Sequence, residues 1–99
     1  MQRQKLTETE LAEQLGQLAS WSVVNSKLHR ELTFPNFVAA FGFMTSVALV
    51  AERMNHHPEW FNVYGTVTVN LTTHDAGGIT ALDFELARHV DALYGQPTR

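Results

Sequence analysis

The sequence predicts an α+β two-layer sandwich, a four-stranded antiparallel sheet with three helices on one face in the order α-β-β-α-β-β-α, and three observations carry that prediction. Leucines recur at helical spacing near both ends of the chain. A long apolar segment, also with helical spacing, fills the middle. Between them lie short runs that alternate apolar and polar residues and are punctuated by turn residues. The 99 residues are too few to divide into two cores, so residues 1–99 are expected to form a single domain.

Thr7-Glu8-Thr9-Glu10 reads as a capping box, with Leu6 stapled onto Leu11. Leu11, Leu15 and Leu18 then form the stripe of a short helix ending near Ala19. Trp21 to Val24 and Lys27 to Phe34 read as two strands around a turn at Asn25-Ser26. In the second, Leu28, Leu32 and Phe34 share one face with the misfit Arg30, while Lys27, His29, Glu31 and Thr33 share the other. Asn36 follows Pro35 as an N-cap, and Phe37, Phe41, Met44, Ala48 and Ala51 form the predicted core stripe of a helix ending near Met54. Phe43 and Val50 then point to the opposite side, which calls for a second partner. After Pro58, the run Phe61 to His74 is expected to place Val63, Gly65, Val67, Val69 and Leu71 on one face and Asn62, Tyr64 and the threonines on the other. Gly77-Gly78 breaks the chain before a second capping box at Thr80-Ala81-Leu82-Asp83, stapled by Ile79 and Phe84. Leu82, Leu86, Val90 and Leu93 are the stripe of the last helix, with Gly95 and Pro97 as its stop.

Composition narrows the function. Lys and Arg number 7 against 10 Asp and Glu, a formal charge of −3 that offers no broad attraction to phosphate backbones, so no direct nucleic-acid partner is expected. Only 17% of residues are charged and 44% are hydrophobic, which favours self-association as a way to hide surface. The absence of cysteine removes disulfides, thiolate metal sites and thiol nucleophiles. Met1 to Glu10 has no apolar core of a signal sequence, so a cytoplasmic chain is the expectation. Leu32 to Ala51 is uncharged over roughly the ~20 residues that span a bilayer. It is interrupted by Thr33, Pro35, Asn36, Thr45 and Ser46, and reads as a buried helix rather than a membrane span.

Three of the five histidines fall at joints between elements. His56 and His57 lie between the long helix and the next strand, and His74 ends the polar face of the hairpin. Pro58 forces His57 to be extended, so the two adjacent rings project in different directions. Glu52, four residues before His56, sits on the last helical turn, where a carboxylate is unfavourable unless a histidinium offsets it. A plain surface Glu is the simpler reading of Glu52, as capping is of Asp83, core packing of Trp60, and a solvated side chain of His29 and His89.

The segment Glu52-Arg53-Met54-Asn55-His56-His57-Pro58-Glu59-Trp60-Phe61-Asn62-Val63-Tyr64, followed by His74 and Asp83, resembles the pterin-4a-carbinolamine dehydratases. Ala40-Phe41-Gly42-Phe43-Met44 is similar to the same family's long helix, so the resemblance runs from about Trp21 into the last helix. It implies elimination of water from a 4a-hydroxytetrahydropterin to give quinonoid dihydropterin, which serves the recycling of the cofactor used by aromatic amino-acid hydroxylases. No metal or redox cofactor is implied. His56 and His74 would be the acid/base pair, since elimination needs one proton delivered to the leaving hydroxyl and another taken from a ring nitrogen. His57 would bind and orient, Glu52 would tune a histidine, Asp83 would support the site, and Trp60 would wall the pocket. Backbone groups around Asn55 and at Thr72, Thr73, His74 and Asp75 would hold the pterin's amide edge. Animal members often carry Asp where this chain has Asn55, which removes one carboxylate from the site.

Two other classes compete. A metal-dependent hydrolase would need ligands on shared elements, and no His-x-His or His-x3-His spacing supplies them. A binding module is the stronger rival, because animal members of the family also act as dimerisation cofactors for a transcription factor. The expected assembly is a homodimer, or a tetramer, paired through the long helix.

Overall fold

Each helix begins where a side chain can accept the free backbone N–H groups of its first turn. In the computed structural model, which describes residues 4–95, Thr7 and Glu10 close the predicted capping box at the head of α1 (Glu8–Leu15). The Asn36 amide oxygen accepts from Ala39 N at the head of α2 (Phe37–Met54). Thr80 and Asp83 close the second box at the head of α3 (Ala81–Tyr94). Gly16 ends α1 sooner than predicted, leaving Leu18 to reach the core from the following turn. Pro97 lies outside the described residues.

The strands β1 (Ser22–Val24), β2 (Lys27–Thr33), β3 (Glu59–Val63) and β4 (Thr66–Leu71) form one antiparallel sheet in the order β1-β2-β4-β3. Asn25 and Ser26 both adopt positive φ in the two-residue turn between β1 and β2, where the twist of a tight hairpin requires it. Leu28 and Leu32 of β2 and Val67, Val69 and Leu71 of β4 are buried on the face that the helices cover. Arg30 shares that face because Asp91 of α3 accepts from its guanidinium and the Tyr94 ring lies 5.0 Å beneath it.

Two predicted faces are corrected. In α2 the buried residues are Ala40, Phe43, Val47, Val50 and Ala51. Phe43 and Val50 therefore face the core, and Phe37, Phe41 and Ala48 face outward, with Phe43 8% and Phe41 53% exposed. Both stripes have helical spacing. The inner one wins because Phe43 packs on Phe34 and Tyr94, at 5.0 Å and 6.0 Å between ring centroids, both outside the helix and the second far from it in sequence. In the second hairpin, the turn at Tyr64-Gly65 reverses the chain, so the alternation does not run through it. Val63 is exposed, while Trp60 and Asn62 stand opposite buried Val69 and Val67 on the covered face. Gly65 is required there, since a Cβ would lie 2.5 Å from the Phe34 carbonyl oxygen.

α2 is long and apolar enough to cross a membrane by length and composition, yet its inner stripe belongs to the same core as the sheet and α3. The open face of the sheet carries Lys27, His29, Glu31, Asn70 and Glu59.

Candidate functional site

The site begins at the end of α2. Asn55 takes the left-handed conformation (φ 53°) as the helix C-cap, a conformation that Asn tolerates better than most residues. Its N–H returns to Ala51 and Glu52, and the N–H of His56 returns to Ala51 O. That turn carries His56 beneath the helix end, where it is 6% exposed, and leaves His57 outside at 57%. The adjacent rings therefore project in different directions, as the Pro58 constraint predicts.

His56 Nε2 meets Asp83 Oδ1 at 2.6 Å in the interior. The other oxygen of Asp83 accepts from Thr73 Oγ1 at 2.9 Å and from Thr80 N at 2.8 Å, and Thr80 Oγ1 lies 2.8 Å from Thr73 Oγ1. Asp83 is fully buried and surrounded by donors, which fits an ionised carboxylate that accepts only. His56 then carries its hydrogen on Nε2. One carboxylate thus caps α3, anchors the loop after β4 and orients a histidine.

Thr73 is buried in this network, and its backbone N–H and C=O both bond within the turn that Gly77 and Gly78 close. It holds Asp83 rather than facing solvent. The next residue, His74, opens the 3-10 turn His74–Ala76 and is 78% exposed, with Nε2 at 2.6 Å from Glu59 Oε2. Lys27 donates to the second oxygen of Glu59. This hydrogen bond, reinforced by the one from His74, holds the Glu59 carboxyl below the usual carboxylate range against a weaker opposing pull from burial. Lys27, Thr72 and His74 line a cleft of about 270 Å³, closed by the Asn25-Ser26 turn and Gly77-Gly78.

Glu52 pairs with His57, at 2.9 Å, rather than with His56. The Asn55 turn sends His56 inward, out of reach of an exposed carboxylate. Trp60 packs half-buried against the core on the covered face of the sheet. Asp75 lies exposed in the first turn of the short helix after Thr73. Lys27 and Glu59 were missed as a pair by sequence reasoning. The available signal was the polar row of β2 together with a carboxylate just after Pro58, but only the β1-β2-β4-β3 order brings the two ends together.

His56, His57 and His74 each place Nε2 on a carboxylate, at 2.6, 2.9 and 2.6 Å, and His89 does so more loosely on Glu85 at 3.4 Å; of these, His74 lines the cleft. Among the described residues, no group of three or more His, Asp or Glu side chains is arranged to hold a metal ion.

Residues 4–93 match the family described as pterin 4 alpha carbinolamine dehydratase, and the chain belongs to that family. A protein of Solibacter usitatus, provisionally named a pterin-4-alpha-carbinolamine dehydratase, is 63% identical over 90% of this chain and 94% of its own length. One of Rhizobium johnstonii with the same provisional name is 50% identical over 92% of each chain. The crystal structure of a transcriptional coactivator/pterin dehydratase from Brucella melitensis superposes with a TM-score of 0.89 at 45% identity, covering 92% of this chain and 99% of its own. A pterin dehydratase-like protein identified as a RuBisCO assembly factor in the alpha-carboxysome shares the fold at a TM-score of 0.66 and 22% identity, over 79% of this chain and 93% of its own.

Proposed function

We propose that the protein eliminates water from 4a-hydroxytetrahydropterin, giving quinonoid dihydropterin, by proton transfer through His56 and His74. The observation that supports this reading is the pairing of each histidine through Nε2 with its own carboxylate, at 2.6 Å in both cases; Nδ1 would then be the atom that exchanges a proton. One imidazolium would protonate the departing 4a-hydroxyl as its C–O bond breaks, while a neutral imidazole takes the proton from the ring nitrogen whose electrons form the new C=N bond. His57 would orient the substrate at the rim, and Thr72 and Asp75 would offer polar contacts to its amide edge. The setting proposed is cytoplasmic, in the service of an aromatic amino-acid hydroxylase.

The test is the loss of enzymatically generated 4a-hydroxytetrahydropterin, followed by its ultraviolet spectrum. His56→Ala and His74→Ala should each slow it by the ~10² to ~10⁴ of a lost general acid or base. His29→Ala and His89→Ala should change it little, and equal effects across all four would refute the assignment.

A second reading is a binding role with little catalysis, and the outer face of α2 favours it. Phe37, Val38, Phe41 and Leu49 form an exposed apolar stripe along this helix. As part of the main reading, a second copy of the chain covers that stripe. Recovery of the protein with a transcription factor, in the absence of any dehydration, would favour the binding role.

A further inference from the structure

Lys27 at the start of β2 and Glu59 at the start of β3 reach toward each other across β4 on the open face of the sheet. Glu59 stands opposite Asn70, and Asn70 opposite His29, so one polar row crosses three strands beneath them. The Lys27 ammonium takes one carboxylate oxygen and His74 Nε2 the other. A histidine as exposed as His74 would sample several rotamers in water, and a carboxylate fixed at its far end by a lysine selects one of them. Because an ionised carboxylate only accepts, it also selects the tautomer with hydrogen on Nε2. Lys27 and His74 both border the cleft that Thr72 lines, so the pair sits beside the space a planar ring could enter.

We infer that Glu59, anchored by Lys27, is a positioning residue that fixes the His74 ring with Nε2–H on its carboxylate, leaving Nδ1 as the atom that exchanges a proton with a pterin in the cleft. The inference rests on the dehydratase reading for its substrate, but not for its geometry. Glu59→Gln keeps the shape and replaces one acceptor oxygen by an NH₂ donor, which can drive the His74 hydrogen onto Nδ1.

Two measurements test it. In the dehydration assay, Glu59→Gln should lower kcat about 10- to 100-fold, less than loss of the histidine itself, with KM within about twofold. Lys27→Met should lower kcat less, and Lys27→Arg should stay near the native rate because a guanidinium supplies the same charge and donors. Glu31→Gln, on the same open face, should match the native protein. Without substrate, the ¹⁵N shifts of the His74 imidazole should report Nε2–H in the native protein and a shift toward Nδ1–H in Glu59→Gln. A native His74 carrying its hydrogen on Nδ1, or a Glu59→Gln protein with unchanged kcat or an unchanged tautomer, would overturn the inference. If Glu59→Gln shows the expected tautomer change but the native protein does not accelerate dehydration, the dehydratase reading falls and the positioning stands.

Discussion

Replacing Asp83 by Asn should separate the structural from the chemical work of that carboxylate. Asp83 accepts three hydrogen bonds in a fully buried position, from His56, Thr73 and Thr80. Asn keeps one acceptor oxygen, and turning it toward Thr73 and Thr80 preserves the cap on α3. The NH₂ then faces His56 Nε2, which must accept rather than donate, so its hydrogen moves to Nδ1. The main loss is one hydrogen bond to a charged group, worth about 1.5–3 kcal/mol, replaced by a neutral one worth about 0.5–1.5, a net cost of about 1–2 kcal/mol. For a domain of this size that lowers Tm by about 5–15 °C. The dehydration rate should fall much further, by ~10² or more, because the proton sits on the wrong nitrogen of the imidazole proposed as acid or base. Thermal unfolding by circular dichroism and the dehydration assay on the same preparation measure both quantities. A folded Asp83→Asn protein with a rate within about threefold of native would refute this account of His56.

Phe43→Asp should unfold the domain, since it puts a charge into the core contact with Phe34 and Tyr94, whereas Phe41→Asp and Leu49→Asp should fold and lose self-association. Light scattering and far-ultraviolet dichroism distinguish these outcomes, and a native protein that stays an 11.1 kDa monomer at micromolar concentration would end the dimer proposal. The depressed Glu59 carboxyl contributes stability that is present above its ordinary titration range and lost as pH falls through its lowered one. The stability difference between native and Glu59→Gln proteins in urea should therefore be constant near neutrality and shrink on acidification. A difference that persists at the most acid pH at which both fold would contradict the Lys27 link.

Local signals gave most of the fold away. The two capping boxes, the Asn36 cap and the Asn25-Ser26 turn are each decided within a few residues, and they stand where the sequence puts them. The faces of α2 were not legible, because Phe37, Phe41 and Ala48 repeat with the same period as Ala40, Phe43, Val47 and Val50. The choice is made by aromatic partners outside the helix, Phe34 before it and Tyr94 far beyond it in sequence. The phase of β3 was hidden for a related reason: Val63 looks like the start of the buried alternation until the Tyr64-Gly65 turn resets it. The candidate histidines were readable from their spacing and family resemblance. Their partners were readable only where a second signal existed, as for Asp83 in its capping box. For Glu59 and Lys27 the polar row of β2 and a carboxylate just after Pro58 were visible, but their meeting depends on strand order.

The most direct measurement is the ultraviolet decay of freshly generated 4a-hydroxytetrahydropterin with and without the native protein, in buffer containing EDTA. The protein should accelerate appearance of quinonoid dihydropterin in proportion to its concentration, and the chelator should leave the rate unchanged. A decay no faster than in buffer alone, or an acceleration lost to EDTA and restored by zinc, would contradict the dehydratase reading.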